Sequence, residues 1–212
     1  TIVDSAPAVM DAFRGALSHY GLPIPDEQRL RSYVGPPLWY SFGDLGYEGE
    51  LLANLVTGYR SRYQDHYLDP EPFPGVIELL HELRAAGVAL ATATSKQAPM
   101  ALAQMEHLGL SSVFDVIAGA TPDPASSKAT VIHEALTRLK ARGVDISHPV
   151  IVGDSVWDVR GAQEAGIPVI GVGWGYATED GLDEADAVCE TVEDLRTYLL
   201  DGVAKHARDR DS

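Results

Sequence analysis

The chain has few cysteines, few basic residues and no long apolar run. Its one cysteine among 212 residues is Cys189, so no disulfide can form within the chain and a cysteine-rich metal site is excluded. No apolar stretch approaches the roughly 18 residues that a membrane-spanning helix needs. We therefore expect a cytoplasmic protein that does not act in a membrane.

The scarcity of basic residues limits the partners that the chain can have. Lysine and arginine number 16 against 31 aspartates and glutamates, which gives a formal net charge of −15. Nucleic-acid binding depends on basic patches, so this balance argues against a nucleic-acid partner. An anionic small molecule would need positive charge supplied locally. The length suits one large domain or a domain with an insert, and we expect a monomer or a homodimer.

From about residue 75 onward, strand-like and helix-like segments alternate. The predicted strands are the apolar runs at residues 88–93, 113–118, 149–153, 167–172 and 187–189. Segments with helical spacing lie between them, and several end in glycine. This alternation predicts an α/β core with parallel strands covered by helices on both faces.

The region before this core has a different pattern. Residues 6–73 show helix-length patterns and no clear strand, and the proline-rich segment 69–75 predicts a stiff connection to the core. We expect a helical cap at residues 6–73, inserted into an α/β core formed by residues 1–5 and 74–212. Such a cap can be a mobile lid that excludes water or a fixed subdomain, and the sequence leaves both open.

Two aspartates follow the predicted strand at residues 149–153. Asp154 would lie at the carboxyl edge of the sheet, where open α/β sheets bind ligands, and Asp158 one turn into the next helix. Two carboxylates converging there suit a hard dication such as Mg²⁺. The plainer interpretation is that Asp154 caps the helix and Asp158 favours its dipole. The pattern alone leaves both interpretations open.

Two further segments carry polar groups suited to an anion. Thr94 and Ser95 follow the predicted strand at residues 88–93, where hydroxyl and backbone N–H groups can hold phosphate, although either residue could simply cap a helix. Lys128 begins a predicted helix, where a cation opposes the helix dipole. It suits a phosphate oxygen or an aspartate there, and the alternative is a solvated surface lysine.

In this order the motifs resemble those of the haloacid dehalogenase (HAD) superfamily, within it the phosphoglycolate-phosphatase-like and 5′-nucleotidase-like phosphatases with a helical cap. The family's threonine or serine at the end of the second core strand matches Thr94, and its lysine on a later helix matches Lys128. Its Gly-Asp-x-x-x-Asp motif matches Asp154 and Asp158. The resemblance implies a Rossmann-like parallel sheet core with an inserted α-helical cap domain.

The resemblance also implies an activity. It implies a Mg²⁺-dependent phosphomonoester hydrolase that acts on a small phosphorylated metabolite through an aspartyl-phosphate intermediate. Thr94, Ser95 and Lys128 would bind the phosphate, and Thr94, Lys128 and Asp154 would be catalytic. Asp154 and Asp158 would hold Mg²⁺. Alternatives are a phosphomutase on the same scaffold and a non-catalytic binding domain.

The beginning of the chain departs from the family pattern. The family's first strand ends in Asp-x-Asp-Gly-Thr, and Thr1 resembles the last residue of that motif. Residues 2–7 resemble the segment that comes directly after the motif in the family. We therefore expect the first core strand, with the nucleophile and the acid/base aspartate, to precede Thr1. We interpret Asp4 as a helix cap. Thr1 should lie beside Asp154 and Thr94, with the position of the first strand between theirs.

Substrate choice should come from the cap. Gly35, Pro36 and Pro37 predict a rigid loop that reaches the leaving group, and Arg62 or Arg60 could bind a carboxylate or a second phosphate. The aromatic residues beside this loop are interpreted mainly as packing between cap helices. Phosphoglycolate and a nucleoside 5′-monophosphate both remain candidate substrates.

Overall fold

The computed structural model describes residues 1–123, 125–178 and 180–210, with side chains described as far as residue 202. In this part of the chain the helices and strands follow one another as the sequence predicts, with helices alone before residue 75 and alternation after it. In chain order they are α1 (Ala6–His19), α2 (Glu27–Arg31), α3 (Leu38–Asp44), α4 (Gly49–Tyr63), α5 (Val76–Ala85), β1 (Ala91–Gln97), α6 (Ala98–His107), β2 (Val116–Ala120), α7 (Lys128–Ala141), β3 (Ile151–Gly153), α8 (Val156–Ala165), β4 (Val169–Val172), β5 (Ala187–Cys189) and α9 (Val192–Arg210).

The paired strands are all parallel, which confirms the α/β core. β1 pairs with β2, and β3, β4 and β5 pair in that order, so the described strands form two sheets. In β1 the register runs from Thr94 opposite Gly119 to Gln97 opposite Ala120, which leaves Ser95 and Lys96 in a bulge. Such a bulge takes residues out of the ladder and turns their backbone groups toward other partners.

The bounds of the first two strands differ from the sequence prediction. β1 begins and ends three to four residues later than the predicted 88–93, and β2 ends two residues later than the predicted 113–118. Thr94 therefore lies within β1 and not after it. The apolar pattern marks side chains that are packed in the core, but ladder hydrogen bonds join backbone groups and continue through polar residues.

The cap has its own hydrophobic core. Phe13 of α1 is fully buried, and its ring centroid lies 4.8 Å from that of Phe42 and 4.9 Å from that of Tyr59. α1 and α4 enclose this cluster. α2 follows the N-cap residue Asp26, whose carboxylate accepts a hydrogen bond from the Arg29 backbone N–H at 2.8 Å. Of the aromatic residues beside the cap loop, Phe42 packs between cap helices as interpreted.

Two chain segments that run side by side join the cap to the core. Val3 forms an antiparallel bridge with Pro72, and the backbone N–H of Asp4 donates to the Glu71 carbonyl oxygen at 2.8 Å. This arrangement places the cap over the edge of the sheets at which Thr94 and Asp154 lie. Among the described residues, no helix is both long enough and apolar enough to cross a membrane.

Candidate active site

Asp154 lies directly after β3, with a carboxylate that is almost completely buried. One oxygen accepts a hydrogen bond from the Tyr176 backbone N–H at 3.1 Å, and the other lies 2.8 Å from the backbone nitrogen of Thr1 and accepts from the Thr1 hydroxyl. The N-cap residue of α8 is Ser155, so Asp154 does not cap that helix. The expected position of Thr1 beside Asp154 is confirmed.

Asp158 and Lys128 form a buried ion pair. The Lys128 ammonium lies 2.7 Å from Oδ1 of Asp158, and the side chains are 15% and 10% exposed. Oδ2 of Asp158 accepts from the Ser155 hydroxyl at 2.7 Å and from the Asp154 backbone N–H at 3.2 Å. Burial alone would raise the pKa of Asp158, but the Lys128 ammonium and the Ser155 hydroxyl outweigh it and hold the pKa below its usual value.

Lys128 also reaches the strand that carries Thr94. Its ammonium donates to the backbone carbonyl of Ala93 at 2.9 Å, one residue before Thr94. The start of α7 is stabilised separately, because Ser127 and Thr130 form a capping box. Lys128 therefore serves neither as a cap nor as a surface lysine: it links β1 to α8 at the edge of the two sheets.

Glycines leave room for these charged side chains. A Cβ on Gly161 of α8 would overlap the Cγ of Lys128, and a Cβ on Gly175 would overlap the carboxylate of Asp154. Neither glycine has a backbone conformation that requires glycine, so the close approach of the side chain is the reason for each. The sequence shows both glycines, but it does not show which side chains pack against them.

A cavity of about 430 Å³ lies between the cap and the core. The core lines it with Thr94, Ser95, Lys96 and Lys128, and the cap with Gly35, Pro36, Pro37 and Arg60. The structure thus brings the predicted phosphate-binding residues and the predicted cap loop to one space. Asp154 and Asp158 are not among the lining residues, and Asp158 contacts the cavity only through its ion pair with Lys128.

The cap loop touches the core at the beginning of α8. Gly35 has a φ of 111°, a conformation that favours glycine, and a Cβ at this position would be 3.6 Å from the Ser155 hydroxyl oxygen. Beside it, the ring of Tyr40 meets that of Trp157 edge to face at 4.8 Å between centroids. These contacts hold the loop over the cavity.

The structure distinguishes the two cap arginines. Arg60 lines the cavity, whereas Arg62 is exposed and lies against Gly15 of α1. Residues two apart on a helix point to nearly opposite sides, so only one of the pair can face the cavity. The sequence does not show which side of α4 faces the core. The specificity role expected for Arg62 stays a prediction, and Arg60 is the arginine that faces the cavity.

Sequence reasoning missed a lysine in the cavity. The Lys96 ammonium donates to the side-chain carbonyl of Gln104 and lies 5.5 Å from the centroid of the Tyr63 ring. Burial lowers the pKa of Lys96 to about 8. Its place directly after Thr94 and Ser95 was the available signal, but a lysine in a polar tripeptide resembles a surface residue.

Tyr176 was also missed, and it joins Asp154 to the base of the cap. Its backbone N–H bonds to Asp154, while its hydroxyl interacts with the Asp4 carboxylate and accepts from the Ala6 backbone N–H at 3.0 Å. Asp4 accepts only a long bond of 3.3 Å from that same N–H, and the N-cap residue of α1 is Ser5. The carboxylate of Asp4 is therefore mainly a partner of Tyr176, which corrects its interpretation as a cap.

The oxygen donors at the sheet edge suit a hard dication only in part. Asp154 offers a buried carboxylate, the ligand type that Mg²⁺ prefers. One carboxylate oxygen of Asp158 already pairs with the Lys128 ammonium, so its charge is balanced without a metal ion, which fits a positioning role better than the predicted metal ligation. Within the described ranges, no group of three or more histidine, cysteine, aspartate or glutamate side chains could hold a metal ion.

Comparison with known proteins places this geometry in a family. The haloacid dehalogenase-like hydrolase family matches residues 1–172. Tyrosine-protein kinase PtkA of Mycobacterium tuberculosis is 37% identical over 205 residues, which cover 94% of this chain and 69% of that protein. Its solved structure has a TM-score of 0.80 at 36% identity, with 94% and 93% of the two chains covered.

Two other relatives carry different names. Phosphoglycolate phosphatase of Caulobacter vibrioides is 34% identical over 84% of this chain and 78% of its own length. The 5′-nucleotidase of Pseudomonas aeruginosa is 30% identical over 94% of this chain and 91% of its own. These similarities, and the family match over 172 of the 212 residues, show that the chain belongs to the haloacid dehalogenase-like hydrolases.

Proposed function

We propose that this chain hydrolyses phosphomonoesters of small metabolites with the help of Mg²⁺. The observation that carries the proposal is the position of Lys128, which lines the cavity. Its ammonium bonds both to the strand that carries Thr94 and to Asp158. A cation, a hydroxyl and a bulged backbone at one point form a site for a phosphoryl group.

Three groups of this chain would bind the phosphoryl group. The Thr94 hydroxyl and the Lys128 ammonium donate to its oxygens. The bulge in β1 takes Ser95 out of the ladder, so its backbone N–H can donate as well. Asp158 holds the Lys128 ammonium in place, and this positioning matters because charge on the phosphoryl oxygens must be met by donors that are already fixed.

Asp154 would hold Mg²⁺ through its carboxylate. Bound Mg²⁺ offsets the negative charge that the phosphate brings into a chain of net charge −15. Following the family resemblance, we place the nucleophilic aspartate and the acid/base aspartate before Thr1. Thr1, which resembles the last residue of the family's nucleophile motif, lies beside Asp154, with 2.8 Å between its backbone nitrogen and the carboxylate.

The proposed reaction has two steps. An aspartate carboxylate attacks phosphorus, and the bond to the leaving alcohol breaks while the second aspartate gives the alcohol its proton. Water, deprotonated by that same aspartate, then cleaves the aspartyl-phosphate and releases inorganic phosphate. Lys128 and Thr94 hold the phosphoryl oxygens through both steps. The relatives named phosphoglycolate phosphatase and 5′-nucleotidase support phosphoglycolate and nucleoside 5′-monophosphates as the first substrates to test.

The test is the release of inorganic phosphate from a panel of phosphorylated metabolites by the full-length protein. We expect release in Mg²⁺ and its loss in EDTA or in Asp154→Asn, which keeps the shape of the side chain and removes its charge. Asp183→Asn, at an exposed site, is the matched control and should keep full activity. Activity that survives EDTA, or full activity in Asp154→Asn, would remove the basis for the metal assignment.

A second candidate function is phosphoryl transfer from ATP to tyrosine, because PtkA is the relative with 37% identity. The two functions differ in where the phosphoryl group goes. Incubation with γ-labelled ATP and a tyrosine-containing peptide separates them, since a kinase places the label on the peptide. If the chain is a phosphatase, the label should be found in inorganic phosphate or remain in ATP, and this is the result we expect. Label on the tyrosine of the peptide would favour the kinase function.

A further inference from the structure

Lys96 is a cation in the cavity whose partners are neutral. Its ammonium bonds to the side-chain carbonyl of Gln104 and lies over the Tyr63 ring. Within the described residues, no carboxylate lies within ion-pair distance of this ammonium, whereas Lys128 in the same cavity has Asp158. Desolvating a cation without a counter-charge is unfavourable, which the lowered pKa of Lys96 reflects.

The neighbours of Lys96 hold it from the core and from the cap. Gln104 of α6 is buried, and its amide N–H donates to the backbone carbonyl of Tyr67 at 2.9 Å, which fixes its carbonyl oxygen toward Lys96. Tyr63 comes from α4, and burial raises the pKa of its hydroxyl, so it is neutral at ordinary pH. The ammonium is thus fixed at the boundary between the two parts of the molecule.

Lys96 is also close to the proposed phosphoryl site along the chain. Its backbone N–H donates to the hydroxyl oxygen of Thr94 at 3.1 Å, and both residues line the cavity. A group held by the Lys96 ammonium would therefore belong to the same small molecule as a phosphoryl group held by Thr94. The neutral surroundings make an anion the partner that such an ammonium binds best.

We propose that Lys96 binds a carboxylate on the leaving alcohol and so selects acidic phosphomonoesters, of which phosphoglycolate is the simplest. The proposal rests on the proposed phosphatase function and narrows its substrate class. A substrate without this second charge would leave the ammonium unpaired in the cavity, and such a mismatch is a strong source of discrimination.

The experiment compares two substrates of similar size with the full-length protein. Phosphoglycolate carries the carboxylate, and ethyl phosphate carries a methyl group in its place. Lys96→Met keeps the length and apolar body of the side chain and removes its charge. In Lys96→Met we expect kcat/KM for phosphoglycolate to fall by about tenfold or more, the effect of losing one hydrogen bond to a charged group. The fall should come mainly from a higher KM. The kcat/KM for ethyl phosphate should stay within about twofold of the wild-type value.

Two further variants complete the test. Lys140→Met, at an exposed position of α7, should change neither substrate. Lys96→Arg keeps a positive charge and should retain a preference for phosphoglycolate. If Lys96→Met does not fold, as judged by circular dichroism and thermal melting, the comparison is made with Lys96→Gln.

The outcomes separate this inference from the proposed function. Equal losses for both substrates would show that Lys96 acts on the phosphoryl group or on the fold, and would overturn the inference while leaving the phosphatase intact. An unchanged preference in Lys96→Met would overturn it as well. A wild-type protein that hydrolyses neither these esters nor the wider panel would overturn the proposed function, and the inference with it.

Discussion

Replacement of Lys128 by methionine should cost both activity and stability. The ammonium lies 2.7 Å from the Asp158 carboxylate, and their side chains are 15% and 10% exposed. Removing it leaves a buried carboxylate with two neutral donors, the Ser155 hydroxyl and the Asp154 N–H. Breaking a buried pair costs about 3 to 5 kcal/mol of unfolding free energy, and the two remaining donors place the expected loss near the lower end, at about 3 kcal/mol.

The loss should depend on pH in a defined direction. In the wild-type protein the pKa of Asp158 lies below its usual value, so its charged form stabilises the fold at neutral pH and this contribution disappears as the pH falls through the folded-state pKa. In Lys128→Met, burial is no longer outweighed and should raise the pKa of Asp158. Acid then neutralises a carboxylate that destabilises the fold, and the difference in stability between the two proteins should shrink toward low pH.

A double variant separates stability from activity. Lys128→Met with Asp158→Asn removes both charges and should regain most of the lost unfolding free energy, measured by urea denaturation. Phosphate release should remain reduced by about a hundredfold or more, because the donor to the phosphoryl oxygens is still absent. Glu82→Gln, which breaks the more exposed pair between Glu82 and Arg196, is the control and should cost about 1 kcal/mol or less.

Two results would refute this reasoning. A single variant Lys128→Met as stable as the wild-type protein at neutral pH would show that the buried pair contributes nothing. Recovery of phosphate release in the double variant would show that Lys128 serves only to neutralise Asp158.

Three other predictions concern neighbouring positions. Gly161→Ala should lower turnover, because its Cβ would displace Lys128. The control is Gly58→Ala, also within a helix, whose Cβ would lie at an ordinary 3.9 Å from that of Ala16; it should keep activity and add up to about 1 kcal/mol of stability. Equal turnover in the two variants would contradict the steric argument. Thr94→Val should reduce kcat/KM by roughly tenfold or more, while the lost hydrogen bond from the Lys96 backbone N–H should lower the unfolding free energy by only about 1 kcal/mol. Unchanged kinetics would show that the Thr94 hydroxyl has no role in the reaction. The kcat/KM for phosphoglycolate should fall above about pH 8, where Lys96 loses its charge, and this fall should be absent from the pH profile of Lys96→Met.

The order of elements could be predicted from the sequence because the apolar periodicity changes clearly at residue 75. α7 begins at Lys128 as expected; Ser127 caps its start and Gly143 comes after its end. β5 was also predicted at its observed bounds, Ala187–Cys189. Strong local signals fixed these elements, whereas the ends of β1 depend on pairing with β2, which no local pattern reports.

The candidate site was predictable in its residues but less so in their partners. Thr94, Ser95 and Lys128 could be selected as candidates because each is a polar residue at the end or start of a predicted element, and the structure brings all three to one cavity. The pairing of Lys128 with Asp158 joins α7 to α8, and such contacts between elements are not encoded in spacing along the chain. The neutral surroundings of Lys96 come from α4 and α6 together, so this feature is visible only in the folded protein.

The central claim is that Thr94 and Lys128 hold one phosphoryl group under the cap. Tungstate is a phosphate mimic that anomalous diffraction locates directly in crystals of the full-length protein grown with Mg²⁺. The account predicts a tungstate ion whose oxygens lie within hydrogen-bond distance of both the Thr94 hydroxyl and the Lys128 ammonium. Tungstate bound at another site, with none at these two groups, would contradict it.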